Sequence, residues 1–201
     1  MKIALFGTSA DPPTVAHRDI IRWLASQQFD RVAVWAADNP FKAHGASLEQ
    51  RSQMLELLIE EIEPAGSNRH VKVYRNLSNK RTLETLTTAQ KIWRDSEFIL
   101  TIGADLVSQM SKWYRVQELL SQVKLLIVPR TGNKIESTDL QTLTDLGAQI
   151  EIAPLSTPII SSTVIRNSHS IQGVAPSVAT YIQQHNLYSI IDDSRDRAKL
   201  K

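Results

Sequence analysis

Phe6-Gly7-Thr8-Ser9-Ala10-Asp11-Pro12-Pro13-Thr14-Val15-Ala16-His17 decides how the chain is read. Ahead of it runs Ile3-Ala4-Leu5-Phe6, an apolar stretch with the length of a buried strand. After it, Ile20, Ile21, Leu24 and Ala25 recur at helical spacing between Arg18 and Gln28. The stretch is therefore a loop from a strand into a helix. In a sheet covered by helices on both faces, such loops lie at the carboxyl ends of the strands, where ligands bind. The first N–H groups of the helix lack partners and the dipole there is positive, so the position favours an anion. Gly7, Thr8 and Ser9 are small enough for a phosphate to come close, and Asp11-Pro12-Pro13 stiffens the chain before the helix. Thr14 and His17, three apart at the helix start, are expected to project into the same space. Plain structural roles fit the same residues: a glycine turn, an N-cap at Thr14 and a hydrogen-bonded core histidine.

Length and composition narrow the class. A chain of 201 residues is most simply one domain, able to bury about 70% of its extended surface. The expected division is a domain over 1–190 and a charged, frayed tail over 191–201. Hydrophobic residues make up 42% and charged residues 22%, as in water-soluble globular proteins. A formal charge of +2 is too small to make nucleic acid or a membrane surface the main partner. There is no cysteine, which excludes disulfides, thiolate metal sites and thiol nucleophiles. No apolar run has the length of a membrane span and no signal-peptide pattern opens the chain, so a cytoplasmic location is expected.

Further along, Arg31 to Ala36 reads as a second buried strand and Ala37 to Lys42 as the loop at its end. Ser47 with Gln50 makes a capping box for a helix running to Ile62, stopped by Pro64 and Gly66. His70 to Tyr74 is a third strand. A polar, basic loop follows from Arg75 to Arg81, then a helix from Thr82 to Arg94 burying Leu83, Leu86, Ala89, Ile92 and Trp93. Glu97 to Ile102 is a fourth strand ending at Gly103-Ala104-Asp105, and Leu106 to Gln122 is helical in one or two pieces around Trp113-Tyr114. Val123 to Val128 is a fifth strand, Arg130 to Glu136 a mobile loop, Thr138 to Leu146 a helix and Gln149 to Ile152 a sixth strand. Ser177 to His185 is the last helix. Six apolar strands alternating with helices predict an α/β, doubly wound, mostly parallel sheet with helices on both faces. Right-handed crossovers then bring Gly7–His17, Asp38–Lys42, Arg75–Thr82, Gly103–Asp105 and Ser161–Arg166 to one edge.

The last of these segments is a second helix start rich in hydroxyls. Ser161-Ser162-Thr163 is followed by Arg166 one turn later. Hydroxyls and free N–H groups at a helix start can hold phosphate oxygens, and an arginine offers a planar fork to them. Equally, serines can simply cap a helix beside a solvated arginine.

The two helix starts together resemble the nucleotidyltransferase superfamily marked by a (H/T)-x-G-H loop and a later I-S-S-T-x-x-R box. The closer resemblance is to the bacterial nicotinate (or nicotinamide) mononucleotide adenylyltransferases, which have a Rossmann-like sheet. Their opening pattern, G-G-T-F-D-P-x-H-x-G-H, is matched in length from Gly7 to His17, and their I-S-S-T-x-I-R box stands at Ile160 to Arg166. Their I-G-x-D segment with W-Y and E-L-L downstream is Ile102 to Asp105, Trp113-Tyr114 and Glu118 to Leu120. Asn39-Pro40-Phe41-Lys42, Thr82 with Thr85-Leu86, and Tyr181-Ile182, His185 and Leu187-Tyr188 match as well, so the resemblance covers about residues 2 to 188. Thr14 replaces the usual first histidine, Ala16 a glycine and Ala10 a phenylalanine. Thr at that first position is the choice of the related phosphopantetheine adenylyltransferases and argues against a cation there. Ala16 narrows the room in which backbone and ligand meet.

What the resemblance implies is an adenylyl transfer. The 5′-phosphate of a pyridine mononucleotide attacks the α-phosphorus of ATP, and pyrophosphate leaves. The attacking oxygen is already ionised, so catalysis is positioning and charge stabilisation. His17, protonated or donating from one nitrogen, binds α-phosphate oxygens, with Thr14 as a further donor. Arg166, Ser161, Ser162 and Thr163 hold the β and γ phosphates, and Lys42 adds charge there or on the mononucleotide. Gly7, Thr8, Ser9 and Gly103 belong to the ATP site, and Asp105 is placed to bond the adenosine ribose or to cap the helix behind it. Trp113 stacks on the pyridine ring, and the backbone near Thr82 and Tyr114 meets its carboxylate. Mg²⁺ is expected through the substrate phosphates, with no protein carboxylate cage. Trp23, Trp35 and Trp93 are assigned to packing. His44, His70, His169 and His185 receive no role. The alternatives are another superfamily adenylyltransferase, such as a phosphopantetheine adenylyltransferase, or a non-catalytic nucleotide-binding module. Acid or amide preference and self-association are not fixed by these residues.

Overall fold

A computed structural model describes residues 1–62, 70–158 and 160–189. Pro64, Gly66 and the 191–201 tail fall outside that range. The elements run β1 (Lys2–Thr8), α1 (Val15–Ser26), β2 (Arg31–Ala36), α2 (Leu48–Ile62), β3 (Val71–Val73), α3 (Thr82–Ile92), β4 (Glu97–Gly103), α4 (Val107–Met110), α5 (Val116–Leu120), β5 (Lys124–Val128), α6 (Ser137–Asp145), β6 (Gln149–Ile152), α7 (Ser162–Ser168) and α8 (Pro176–Gln184). The six strands form one sheet in the order β3-β2-β1-β4-β5-β6, with every pair parallel. The winding reverses between β1 and β4, which makes their carboxyl ends the switch point of the sheet.

The four central strands, β2, β1, β4 and β5, are buried on both faces, which is why they read as continuous apolar runs, whereas the edge strands β3 and β6 are partly exposed. Along β1, Ile3 and Leu5 join one apolar cluster while Ala4 and Phe6 join the other. The first cluster includes Leu83 and Leu86 of α3 and Leu119 and Leu120 of α5. The second takes Ile20, Ile21 and Leu24 of α1, Met54, Leu55 and Leu58 of α2, and Val178 and Ile182 of α8. The capping box forms at α2: Ser47 N–H donates to Gln50 Oε1 at 2.9 Å and Gln50 N–H to Ser47 Oγ at 3.2 Å.

Three expectations need correction, and one holds. Ile92 is 40% exposed, because α3 ends there and Trp93 takes the buried place, its ring edge-on to Tyr74 at 4.9 Å. The basic stretch after β3 is not all loop, since Arg75–Leu77 forms a 3₁₀ turn. The 106–122 region is helical in two pieces around Trp113-Tyr114, as expected: α4 follows a 3₁₀ turn at Ala104–Leu106, and α5 begins after Arg115, at φ 50° where the chain turns. The loop after β5 is tied at its start: Thr131 N–H donates to Thr157 O at 3.0 Å and Asn133 N–H to Arg130 O at 3.0 Å.

Gly7 has a different reason for its size from the one expected. A Cβ on Gly7 would lie 2.4 Å from Trp35 Cζ2, so the indole of β2 fills the place a side chain would take. Trp35 is buried and cannot swing away. Gly7→Ala should therefore cost about 1–3 kcal/mol, lowering Tm by roughly 3–10 °C in a thermal melt. Trp35→Leu in the same chain should recover part of that loss; equal Tm values for wild type and Gly7→Ala would show the contact to be unimportant.

Candidate functional site

A cleft of about 1090 Å³ opens at the switch point. It is lined from β1 and its loop by Gly7, Thr8, Ser9 and His17, and from β4 by Gly103 and Asp105. Lys42 comes from the loop after β2, Thr82 from the start of α3, Trp113 and Tyr114 from the α4–α5 break, and Ser161, Ser162, Thr163 and Arg166 from α7. The strand-end segments expected to share one edge thus all contribute to one cleft.

Thr14 is the exception. It is fully buried and does not line the cleft, because it is the N-cap of α1, with φ −117° and ψ 173°. Helical spacing does not govern a residue in extended backbone. Its N–H donates to His17 Nδ1 at 3.0 Å, and its Oγ1 lies 3.0 Å from the same nitrogen. Thr14 therefore stands behind His17 instead of beside it. Since Nδ1 accepts, the ring proton sits on Nε2. Burial lowers the His17 pKa from the ordinary 6.5 to about 4, helped by Arg130 and opposed by Asp105. The imidazole is neutral and offers one N–H.

The hydroxyls of α7 are also committed to protein. Ser161 Oγ accepts from Val164 N–H at 3.2 Å as the N-cap, and Ser162 Oγ donates to Pro12 O at 2.8 Å. Thr163 Oγ1 accepts from Arg166 Nη2 at 3.3 Å. The Ser162 contact docks the second helix start onto the first. Arg166 strengthens the docking, donating from Nη1 to Asp11 O, with the Asp11 carboxylate 3.6 Å away. Lys42 Nζ reaches Ser9 Oγ at 3.5 Å. Asp105 lies inside its 3₁₀ turn, not at the cap, and its Oδ1 occupies the space 2.6 Å from where a Gly103 Cβ would be.

Several residues were not singled out from sequence. Arg130 lines the cleft and donates to Ile160 O at 2.6 Å; its place directly after β5 was the available signal. Arg51 is 2% exposed and donates from Nη1 to Ser9 O and Ala37 O, both at 2.8 Å, pinning the loops after β1 and β2. An arginine on the apolar stripe with Leu48, Leu55 and Leu58 was its signal. Asp11 is 1% exposed and accepts from Gly45 N–H at 2.9 Å, Ala46 N–H at 3.1 Å and Tyr188 Oη at 2.8 Å. His44 Nδ1 stands 3.5 Å from it. Burial first, then Asp11, pushes the Tyr188 phenol up, so it stays a neutral donor.

Residues 5–168 match the sequence pattern of the family described as Cytidylyltransferase-like. A Synechocystis sp. protein named "Probable nicotinate-nucleotide adenylyltransferase" is 46% identical, over 94% of this chain and 99% of its own. The chain belongs to the nicotinate-nucleotide adenylyltransferase family. A Gemmatimonas aurantiaca protein of the same name is 30% identical over 94% of this chain and 92% of its own. The fold is similar to that of Plasmodium falciparum nicotinic acid mononucleotide adenylyltransferase complexed with NaAD. That match has a TM-score of 0.74 at 19% identity, covering 94% of this chain and 98% of that one.

The His17 geometry has a pH consequence. With its folded pKa below the ordinary value, the neutral ring favours the folded state fully above pH 6.5. That contribution is lost as pH falls toward 4. Nitrogen-15 NMR of the His17 ring should show the Nε2–H tautomer at neutral pH and no titration down to about pH 5. A midpoint near the ordinary value, or an Nδ1–H tautomer, would contradict the geometry.

Proposed function

We infer that the protein transfers the adenylyl group of ATP to the 5′-phosphate of nicotinate mononucleotide, forming the dinucleotide and pyrophosphate. The observation that carries this is His17 from α1 and Arg166 from α7 opening into one cleft in a chain of this family. The whole of 1–190 is read as one nucleotidyltransferase domain, working in the cytoplasm on ATP and the mononucleotide.

No protein nucleophile or base is required, because the attacking phosphate oxygen is ionised. His17 serves as a donor: its Nε2–H bonds an α-phosphate oxygen as charge grows there. A neutral donor fixed from behind by Thr14 needs no reorganisation during the step. Arg166, Arg130 and Lys42 supply positive charge for the triphosphate and the departing pyrophosphate. Only part of the Arg166 fork is used on Asp11 and Thr163, which leaves N–H groups for oxygens. Gly7 and Thr8 at the end of β1, with Ser9 after them, form the phosphate side of the cleft, and Ser161, Ser162 and Thr163 bring the backbone at the start of α7 to the same phosphates. Asp105, whose carboxylate bonds no described side chain, takes the adenosine ribose beside Gly103. Trp113 stacks on the pyridine ring, and the backbone at Thr82 and Tyr114 receives its carboxylate.

Among the described residues no three His, Cys, Asp or Glu side chains gather into a metal site. Mg²⁺ carried on the nucleotide phosphates would neutralise charge on the transferring group. Thr14, shared with phosphopantetheine adenylyltransferases, is turned from the cleft and lends that alternative no support.

Incubation with ATP, Mg²⁺ and nicotinate mononucleotide should yield the dinucleotide mass and pyrophosphate. ATP binding without product would favour a non-catalytic module. His17→Ala should lower kcat about a hundredfold or more with little change in circular dichroism; unchanged turnover would reject the donor role.

A further inference from the structure

We propose that Arg81 is a specificity-determining residue that selects the acid form of the pyridine mononucleotide over the amide. The proposal rests on the adenylyltransferase reading. It adds to that reading the group that tells the two substrates apart.

Arg81 is the N-cap of α3, in extended backbone, and lines the cleft next to Thr82. Its guanidinium carbon lies 3.8 Å from the centroid of the Tyr114 ring, which is 47% exposed. A cation on a ring face is held in place at modest cost, so a side chain that would otherwise sample many rotamers keeps its charge at one spot. That charge is unspent. Among the described residues no carboxylate lies within ion-pair distance of Arg81, whereas Arg115, facing the same ring at 6.0 Å, pairs with Glu118, and Arg75 pairs with Glu49 and Glu56.

Nicotinate and nicotinamide mononucleotides differ in one group of nearly equal shape, a carboxylate against a carboxamide. Stacking on Trp113 binds both rings alike, so it cannot discriminate. A fixed positive charge can, because it attracts only the anion. At the phosphate end, Arg166 and Arg130 are engaged with Asp11 and Ile160. Arg81 is the cation stacked at the Trp113–Tyr114 wall. Lys80 and Lys112 also line the cleft but sit on free stems and attract anions generally. Because Arg81 is exposed, its effect is screened by salt and amounts to a preference on the order of tenfold.

The test is kcat/KM for each mononucleotide at saturating ATP, in wild type, Arg81→Gln, Arg81→Lys and Lys91→Gln, at about 50 mM and about 500 mM NaCl. Lys91, in the last turn of α3, removes the same charge away from the cleft. Arg81→Gln should reduce the acid-to-amide ratio on the order of tenfold, through a raised KM for the acid. Arg81→Lys should keep part of the preference, and Lys91→Gln all of it. High salt should shrink the wild-type ratio and leave that of Arg81→Gln nearly unchanged. An unchanged ratio in Arg81→Gln would overturn the proposal. So would equal losses for both substrates, which would put the guanidinium on the phosphate they share. Failure of the wild type to form a dinucleotide from either substrate would instead remove the reading beneath it.

Discussion

Asp11 carries a carboxylate that is almost wholly out of water, at a position where an unpaired charge would cost several kcal/mol. It is tolerated because three donors reach it, two backbone N–H groups of the 45–46 loop and the Tyr188 hydroxyl, with His44 and Arg166 at slightly longer range. The donors come from parts of the chain far apart in sequence: the loop before α2, the segment after α8 and the box in α7. One charge thus holds the first phosphate-type helix start against the second. Ser162 on Pro12 and Arg166 on the Asp11 carbonyl complete the joint. Without it, His17 and Arg166 would sit on separately hinged elements and could not be fixed within the tolerance that phosphoryl transfer needs.

The same joint sets the electrostatics. Arg51 beneath the loops and Arg130 beside His17 add positive charge to a pocket already bounded by two helix starts. A protonated His17 is disfavoured there, and the structure answers by fixing a neutral ring with Thr14 behind it. On the proposed adenylyl transfer, the field for a triphosphate is built from arginines and helix ends, while the histidine contributes direction. Thr14, the cap behind the ring, acts on His17 and not on the cleft.

Much of this could be read from sequence. The central strands were legible because parallel strands buried on both sides leave uninterrupted apolar runs, as in Arg31–Ala36; Gln149–Ile152, an exposed edge strand, also matches residue for residue but through its place after a helix. The segments forming the cleft were legible because every loop after a parallel strand emerges at the same edge. Orientation was not. Thr14 and His17 are three apart, but a cap residue lies outside the helix, so Thr14 meets the ring from behind and does not face the cleft. The commitment of Ser162 was hidden because its hydrogen bond to Pro12 depends on which loops dock. Gly7 carries no mark of an indole arriving from β2. Arg51, Asp11 and Tyr188 act through contacts 14 to 177 residues apart in the chain, between different elements, where periodicity carries no information.

The interdependence of Asp11 and Arg166 can be measured by a double-mutant cycle on kcat/KM, using Asp11→Asn, Arg166→Gln and the pair together. If Asp11 works by holding Arg166 in the cleft, each single change removes much of the same stabilisation. The double variant should then fall well short of the product of the two losses, with a coupling of about 1 kcal/mol or more. Losses that simply multiply would mean that the carboxylate and the guanidinium act separately, and that the two helix starts do not depend on this joint.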